Sequence, residues 1–377
     1  MTHEIAVRAL RGAAQKSRFM QACEEIVRNA KHVKIDDKAL AAYADSLRKP
    51  AFIPDWHDYL SDRIVDRGNG QYIQDKDTRM RAALFELAQN CSINGGYTYK
   101  GADGKTEKWQ KDGSGAAALL HSLKTLWAHA AVPGVTQHDA MIANAVMKKL
   151  LKDVPEQAFR DERISLLAAF AESNAVGYIN YGYGLAKRGP DHFVFDYRTT
   201  MMLGESNVLA FHEDPFRKKI LLLPVLFASY AQSEGVTVEL DLPIPSDYRV
   251  PQTLHNIGVL RLSNGLAREI NSGKLFAQDE TAVTELRAAS VVAVDRILER
   301  ARTRLAQEHP GFRLEINHLD ADMWFAGRLF DKPAEALDEK KQRIRTELES
   351  FGKKSGFREP GFKARADQAI NVHTLRF

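Results

Sequence analysis

The stretch TAVTELRAASVVAVDRIL, residues 281–298, decides the fold class of this chain. Its apolar stripe recurs at spacings of three and four residues and comprises Val283, Leu286, Ser290, Val294 and Ile297. This period places the stripe along one face of an α-helix, and it predicts a helix over residues 280–308.

Comparable helical patterns extend outward from this stretch in both directions. Asp36 is the expected N-cap of the second helix in the N-terminal segment. The prolines of VTVELDLPIP, residues 236–245, restrict that alternating segment to a short edge strand, and the glycines of residues 91–115 and 176–200 indicate loop and irregular structure. Further helices are predicted in residues 5–48, 78–90, 116–130, 137–152, 156–175, 215–232 and 251–271. The fold class is therefore mostly all-α, with short irregular or β pieces.

The chain of 377 residues is predicted to form one globular helical domain, residues 1–331, followed by a charged C-terminal helix and tail, residues 332–377. The longest apolar run, residues 220–231, contains Pro224 and is too short to span a membrane. The N-terminus lacks the apolar core of a signal peptide. We therefore expect a soluble cytoplasmic protein with no membrane partner.

Composition and motifs remove several function classes. The formal net charge is only +4, and no basic arm is visible, so a stable nucleic-acid complex is not expected. Two cysteines, Cys23 and Cys91, are too few for a disulfide framework or a four-cysteine zinc site, and Cys23 is expected to be buried. No P-loop, GxGxxG after a strand, HExxH or GxSxG occurs, and the histidines lack metal-ligand spacing.

The stretch SDYRVPQTLHNIGVL, residues 246–260, places three functional side chains before a helix. Pro251 suits a first helical turn, which makes Val250 or Arg249 the expected N-cap. Asp247 and Arg249 have two interpretations. They form an ion pair that fixes the start of the helix, or they line a pocket whose helix N-terminus attracts a small anion.

Two further helices carry polar groups beside apolar surfaces. Glu285 lies on the flank of the buried face of its helix, where a carboxylate is either paired, for example with Arg287, or part of a pocket. Asp320 and Trp324 share a helix face at i and i+4, which suits a flat ring with donors at its edge, or a core tryptophan with a capping aspartate.

A cluster of basic residues precedes the apolar helix of residues 215–232. Lys218 and Lys219 follow Arg217 in PFRKKI, residues 215–220. A cation at this position either turns inward to a phosphate or stays in solvent.

These motifs resemble those of the queuosine salvage protein family, the queuosine 5'-phosphate N-glycosylases. DYRVPQ is intact, and it is followed in order by GVLRLS at 258–263, ELRA at 285–288 and LDADMW at 319–324. CEEIVRNAKHVKIDDKALAAYADSL, residues 23–47, is similar to the opening helices of the family, and NVHTLRF, residues 371–377, to its end. Three segments depart from the family pattern, and one of them is the charged insertion at residues 332–368. NCSINGGYTY, residues 90–99, replaces an aromatic stretch that walls the base pocket, and PFRKKI lacks the glutamine of the related basic motif.

The resemblance implies an all-α fold similar to helix-hairpin-helix DNA glycosylases, and no metal or organic cofactor. The implied reaction is hydrolysis of the N-glycosidic bond of queuosine 5'-monophosphate, or of a related modified nucleotide, to release a queuine-type base for tRNA modification. Asp247 is the expected catalytic carboxylate. Substrate contacts are expected from Tyr248, Arg249, Gln252, Glu285, Arg287, Asp320, Trp324, Lys218 and Lys219.

Two other function classes stay open at this point. One is a helix-hairpin-helix glycosylase that acts on nucleic acid, which the small net charge does not favour. The other is a non-catalytic relative that binds a nucleotide or nucleobase, since the altered segment 90–99 corresponds to the stretch that walls the base pocket in the family.

Overall fold

The structure is a computed structural model that describes residues 5, 8–10, 12–50, 73–95, 97–109, 148, 151, 152, 154–329, 371 and 372. The chain divides into two compact units. Unit 1 comprises Met1–Pro54 and Leu242–Val372, and unit 2 comprises Asp55–Asp241 and His373–Phe377. The predicted boundary between a domain of residues 1–331 and a tail falls outside the described residues and stays a prediction.

The predicted all-α fold class is confirmed, because most of the described residues are helical. Unit 1 contains α1 (Lys16–Arg28), α2 (Asp37–Ser46), α9 (Arg249–Asn256), α10 (Asn264–Asn271), α11 (Thr281–Glu308) and α12 (Ile316–Leu329). Unit 2 contains α3 (Lys76–Ile93), α4 (Arg160–Glu172), α5 (Ala175–Ala186), α6 (Tyr197–Gly204), α7 (Val208–Phe211) and α8 (Lys218–Ser233). Short 3₁₀ turns cover Glu156–Ala158 and Glu205–Asn207.

The described strands are short and form small sheets within each unit. In unit 1, β1 (Val33–Ile35) pairs antiparallel with β7 (Leu260–Leu262), and β8 (Leu275–Phe276) pairs parallel with β9 (Asn371–Val372). In unit 2, β2 (Thr98–Lys100) and β3 (Thr106–Lys108) form a hairpin. In the same unit, β5 (His192–Asp196) pairs antiparallel with β4 (Lys187–Gly189) and parallel with β6 (Thr237–Asp241). Because β6 lies at the edge of this sheet, the edge strand predicted in residues 236–245 is confirmed.

The long helix α11 is the central element of unit 1. It packs against α1, α2, α9 and α12, and its residues from Ala282 to Val294 are all buried. All five members of the predicted apolar stripe are buried, as expected from their period. The helices predicted around residues 78–90, 156–175, 215–232 and 280–308 are confirmed, whereas those at 116–130 and most of 137–152 lie outside the described residues.

The predicted helix over residues 251–271 is wrong, because two helices flank a strand there. Helix α9 ends where Gly258 takes a φ of 84°, a left-handed conformation that glycine adopts without steric penalty. The amide of Val259 then bonds back to Leu254 O, and the chain continues into β7. The expected N-cap is also wrong, since Tyr248 holds that position and Arg249 is the first helical residue.

Two predictions of irregular structure in unit 2 are wrong. Residues 176–200 contain most of α5, both β4 and β5, and the start of α6. Gly182 in α5 lets Leu203 of α6 approach, because a Cβ at Gly182 would lie 2.4 Å from Leu203 Cδ2. Glycine therefore serves close helix packing here rather than a turn. Within residues 91–115, the described residues begin as the last turn of α3 and continue into the β2–β3 hairpin, whereas residues 96 and 110–115 lie outside the described part of the chain.

Candidate functional site

Asp247 stands directly before α9 and is held by the start of that helix. Its Oδ1 accepts hydrogen bonds from the amides of Arg249 at 2.7 Å and Val250 at 3.3 Å. In the part of the chain that the structure describes, its other oxygen, Oδ2, accepts no hydrogen bond. The side chain is half-buried, and one of its two oxygens fixes the carboxylate at the start of α9.

The same two hydrogen bonds change the expected role of the helix N-terminus. An α-helix begins with amides that lack partners within the helix, and these can bind an anionic ligand. In α9, Asp247 takes the amides of the first two residues, and Pro251 has no amide hydrogen. The anion at this helix start is therefore the Asp247 carboxylate itself, and ligand binding has to use side chains.

Arg249, Tyr248 and Gln252 form a contiguous polar group beside Asp247. The guanidinium of Arg249 lies 4.9 Å from the centre of the Tyr248 ring, and its Nη1 donates to Gln252 Oε1 at 3.3 Å. Arg249 and Gln252 are both buried, one helical turn apart. Cation–π contact and the amide together fix the plane of the guanidinium fork.

Arg287 supports the segment that carries Asp247. From α11, its Nε donates at 3.0 Å to the carbonyl oxygen of Ser246, the residue before Asp247. Cys23 lies near this guanidinium, and burial raises the pKa of its thiol far above the usual value. The prediction that Cys23 is buried is confirmed. The geometry makes Arg287 a positioning residue for Asp247, whereas its expected substrate contact stays a prediction.

Glu285 braces the segment between α1 and β1. Its two carboxylate oxygens accept hydrogen bonds from the amides of Lys31 at 3.0 Å and His32 at 2.7 Å. The side chain is only 3% exposed. Both oxygens thus have backbone partners more than 250 residues away in sequence, which gives the side chain a structural role. Its expected contact with the substrate stays a prediction.

Asp320 and Trp324 lie on α12, which packs against α9. Thr253 in α9 donates from its hydroxyl to Met323 O at 2.7 Å and ties the two helices together. Asp320 is buried and Trp324 is partly buried, one turn apart on the same helix as predicted. Together with Asp247, they belong to unit 1.

Lys218 and Lys219 begin helix α8 in unit 2, and both are buried rather than solvated. Lys219 Nζ donates to Ser92 O at 2.8 Å. Burial lowers the pKa of Lys219 well below its usual value, and the charges of Arg163 and Lys218 lower it further. An anion close to a buried lysine would offset the cost of burying its positive charge.

The segment that departs from the family pattern is held by the same group of cations. Arg163 is fully buried, and its guanidinium donates to the carbonyl oxygens of Ile93, Gly95 and Ala158. It also lies 5.1 Å from the centre of the Tyr97 ring. Burial lowers the pKa of Arg163 to about 10. The altered segment is therefore an ordered part of unit 2, built around backbone carbonyls.

Several residues at this site have no signal in the sequence. Ser246 is fully buried, and Tyr43 donates its hydroxyl to Asp322 Oδ2 at 2.7 Å across unit 1. These contacts join segments far apart in sequence, so only the fold reveals them. Among the described residues, no cluster of histidine, cysteine and carboxylate side chains suits a metal ion, and no helix is long and apolar enough to cross a membrane.

Replacing Glu285 with alanine is expected to destabilise the protein. Two amides would lose a carboxylate partner, which lowers the free energy of unfolding by about 2–4 kcal/mol. Chemical denaturation of Glu285→Ala measures this loss, with the exposed Glu299→Ala on the same helix as control. A loss as small as that of the control would contradict the bracing role.

Lys219 is expected to make stability depend on pH in the alkaline range. The pKa of Lys219 is lower in the folded chain than the ordinary 10.5, so between those two values the unfolded chain binds more protons. The free energy of unfolding therefore rises with pH in that window, and Lys219→Met removes this rise. Denaturation between pH 7 and 10.5 tests it, with the exposed Lys105→Met as control. Equal slopes in all three proteins would refute the prediction.

Comparison with known families covers the segment that contains this site. Residues 239–347 match the family model described as queuosine salvage protein. Curated proteins give no match to the chain. The matched segment contains Asp247, Arg249, Glu285, Asp320 and Trp324, and it supports a role in queuosine salvage. The resemblance predicted from the motifs is confirmed over residues 239–347, which are similar to the queuosine salvage protein family.

Proposed function

We propose that this protein hydrolyses the N-glycosidic bond of queuosine 5'-monophosphate or a related modified nucleotide. The products are a queuine-type base, available for tRNA modification, and ribose 5-phosphate. The proposal rests on the hydrogen bonding of the Asp247 carboxylate, which lies within the matched residues 239–347. One carboxylate oxygen is anchored by two amides, and the other has no hydrogen-bond partner among the described residues.

The chemistry of the base explains the need for such a carboxylate. A 7-deazaguanine has carbon in place of N7, so it cannot be activated by protonation at that atom. As the bond between the base nitrogen and C1' of the ribose breaks, positive charge develops on the sugar. Water then adds its oxygen to C1', and a proton from water goes to the departing base nitrogen. An enzyme for this reaction has to stabilise the sugar cation.

Asp247 suits that role because its negative charge is already fixed in position. A preorganised group does not need to reorient as charge develops, and one such group contributes about 3–4 kcal/mol to transition-state stabilisation. The hydrogen bonds at Oδ1 supply the fixed position, and Oδ2 supplies the charge or steers the attacking water. Arg287 holds the backbone carbonyl beside Asp247 and so supports the same geometry.

The phosphate and the base are assigned to neighbouring side chains of unit 1. The planar guanidinium of Arg249 suits a phosphate, which it can bind through two parallel hydrogen bonds. Trp324 offers a flat face for the base, and Asp320 offers acceptors for its ring N–H groups and amine. The secondary amine of queuine is cationic at neutral pH, which a second carboxylate would complement. Participation of Lys218 and Lys219, which belong to unit 2, stays a prediction.

Replacing Asp247 with asparagine is expected to preserve the fold and slow base release by at least about 100-fold. Asparagine keeps an oxygen that can accept the amides of Arg249 and Val250 but lacks the negative charge. Mass spectrometry of the released base during incubation with queuosine 5'-monophosphate measures the effect.

The exposed Asp279→Asn is the matched control, and thermal unfolding of each variant checks the fold. Near-normal turnover in Asp247→Asn, with a melting temperature like that of the control, would show that Asp247 serves only as a helix cap.

Arg249 is expected to give a preference for the 5'-monophosphate over the nucleoside. Loss of charged hydrogen bonds in Arg249→Met is expected to reduce the ratio of the two kcat/KM values by about 10- to 100-fold. Arg249→Lys, which keeps the charge without the planar fork, is expected to show an intermediate ratio. Equal kcat/KM for nucleotide and nucleoside in the unmodified protein would disprove the phosphate assignment.

A further inference from the structure

The side-chain amide of Gln252 has an unsatisfied donor group inside unit 1. The residue is only 4% exposed, and Oε1 of its amide accepts the hydrogen bond from Arg249 Nη1. The nitrogen of the same amide, Nε2, is buried and has no hydrogen-bond partner within the described residues. A buried donor without an acceptor costs about 1–3 kcal/mol, so its retention calls for an explanation.

The orientation of this amide follows from Arg249. Arginine has N–H donors and no acceptor, so the carboxamide oxygen has to face the guanidinium and the NH₂ group has to face elsewhere. On the side of Gln252 away from Arg249, the amide therefore offers only donors. The hydroxyl of Ser246, the residue before Asp247, is also buried and has no hydrogen-bond partner in the described part of the chain.

We propose that Gln252 Nε2 is a donor to the 5'-phosphate of the substrate and that Gln252, beside Arg249, makes the site select phosphorylated nucleotides. This inference rests on the proposed function for the identity of the nucleotide. The ligand class is a phosphate monoester on a sugar, whose terminal oxygens accept hydrogen bonds from both side chains.

A phosphate explains the donor pattern better than a sugar hydroxyl does. A hydroxyl binds best where it both donates and accepts, but Oε1 of Gln252 is already occupied by Arg249. The amides at the start of α9 cannot serve a phosphate, because Asp247 takes two and Pro251 has none. Side chains therefore have to replace these amides as donors to the phosphate. Arg249 supplies the charged donor, and Gln252 supplies the neutral donor.

Ribose 5-phosphate, a fragment of the proposed substrate, tests the site without requiring turnover. Gln252→Glu keeps the size of the side chain and an acceptor for Arg249 but replaces the donor with a negative charge. Calorimetric titration is expected to show at least 30-fold weaker binding of ribose 5-phosphate to Gln252→Glu, on the order of 2 kcal/mol. Gln252→Met, which removes the donor without adding charge, is expected to weaken binding by about 5- to 10-fold.

Kinetics with two substrates provide a second readout. The loss of kcat/KM in Gln252→Glu is expected to be at least 10-fold larger for queuosine 5'-monophosphate than for queuosine. A residue that only positions Arg249 would behave differently, since glutamate holds arginine at least as well as glutamine does. Binding of ribose 5-phosphate within threefold of the unmodified protein would therefore overturn the inference.

A crystal structure of the unmodified protein with ribose 5-phosphate decides the matter even if both variants fail to fold. A phosphate oxygen within hydrogen-bond distance of Gln252 Nε2 supports the inference, and a phosphate bound elsewhere, or no binding, overturns it. Base release by the unmodified protein tests the proposed function separately. Gln252-dependent binding without base release would leave the phosphate subsite standing and refute the glycosylase activity.

Discussion

The two hydrogen bonds that Asp247 accepts from the first two amides of α9 are the interaction on which the site depends. The two amides hold one oxygen of this half-buried carboxylate in a fixed position at the helix N-terminus. This contact also determines what the surrounding groups can do. Because Asp247 takes the amides of Arg249 and Val250, those two amides are not available to an anionic ligand.

Unit 1 holds this helix start through contacts that connect distant parts of the sequence. Arg287 in α11 binds the carbonyl of Ser246, and Thr253 ties α9 to α12. Glu285, two residues before Arg287 in α11, braces the segment after α1. The helix α11 therefore supports both the Asp247 segment, through Arg287, and the segment after α1, through Glu285.

The sequence predicted elements whose signals are local. The apolar period of α11 and the side-chain cap at Asp36, which accepts the amide of Ala39 at 2.9 Å, are both confirmed. The prediction of irregular structure for residues 176–200 is wrong because it relied on the glycine and aromatic content, which is typical of loops. In the structure, Gly182 allows close packing against Leu203. Tertiary packing outweighed propensity there.

The chemistry of the site was less predictable than the helices. The motif DYRVPQ predicts a role for Asp247 and its neighbours, but it could not show that one oxygen of Asp247 accepts two amides of α9. The partners of Glu285 lie more than 250 residues away, so a choice between an ion pair and a pocket had no local basis. The structure gives a third arrangement, in which the carboxylate binds backbone amides.

The measurement that tests the central claim most directly is incubation of the unmodified protein with queuosine 5'-monophosphate in ¹⁸O-labelled water, followed by mass spectrometry. Hydrolysis by this protein is expected to give equal amounts of queuine and ribose 5-phosphate, with one ¹⁸O atom in the sugar phosphate, because water adds to C1' when the glycosidic bond breaks. Recovery of intact nucleotide, or release of phosphate with the nucleoside left whole, would contradict it.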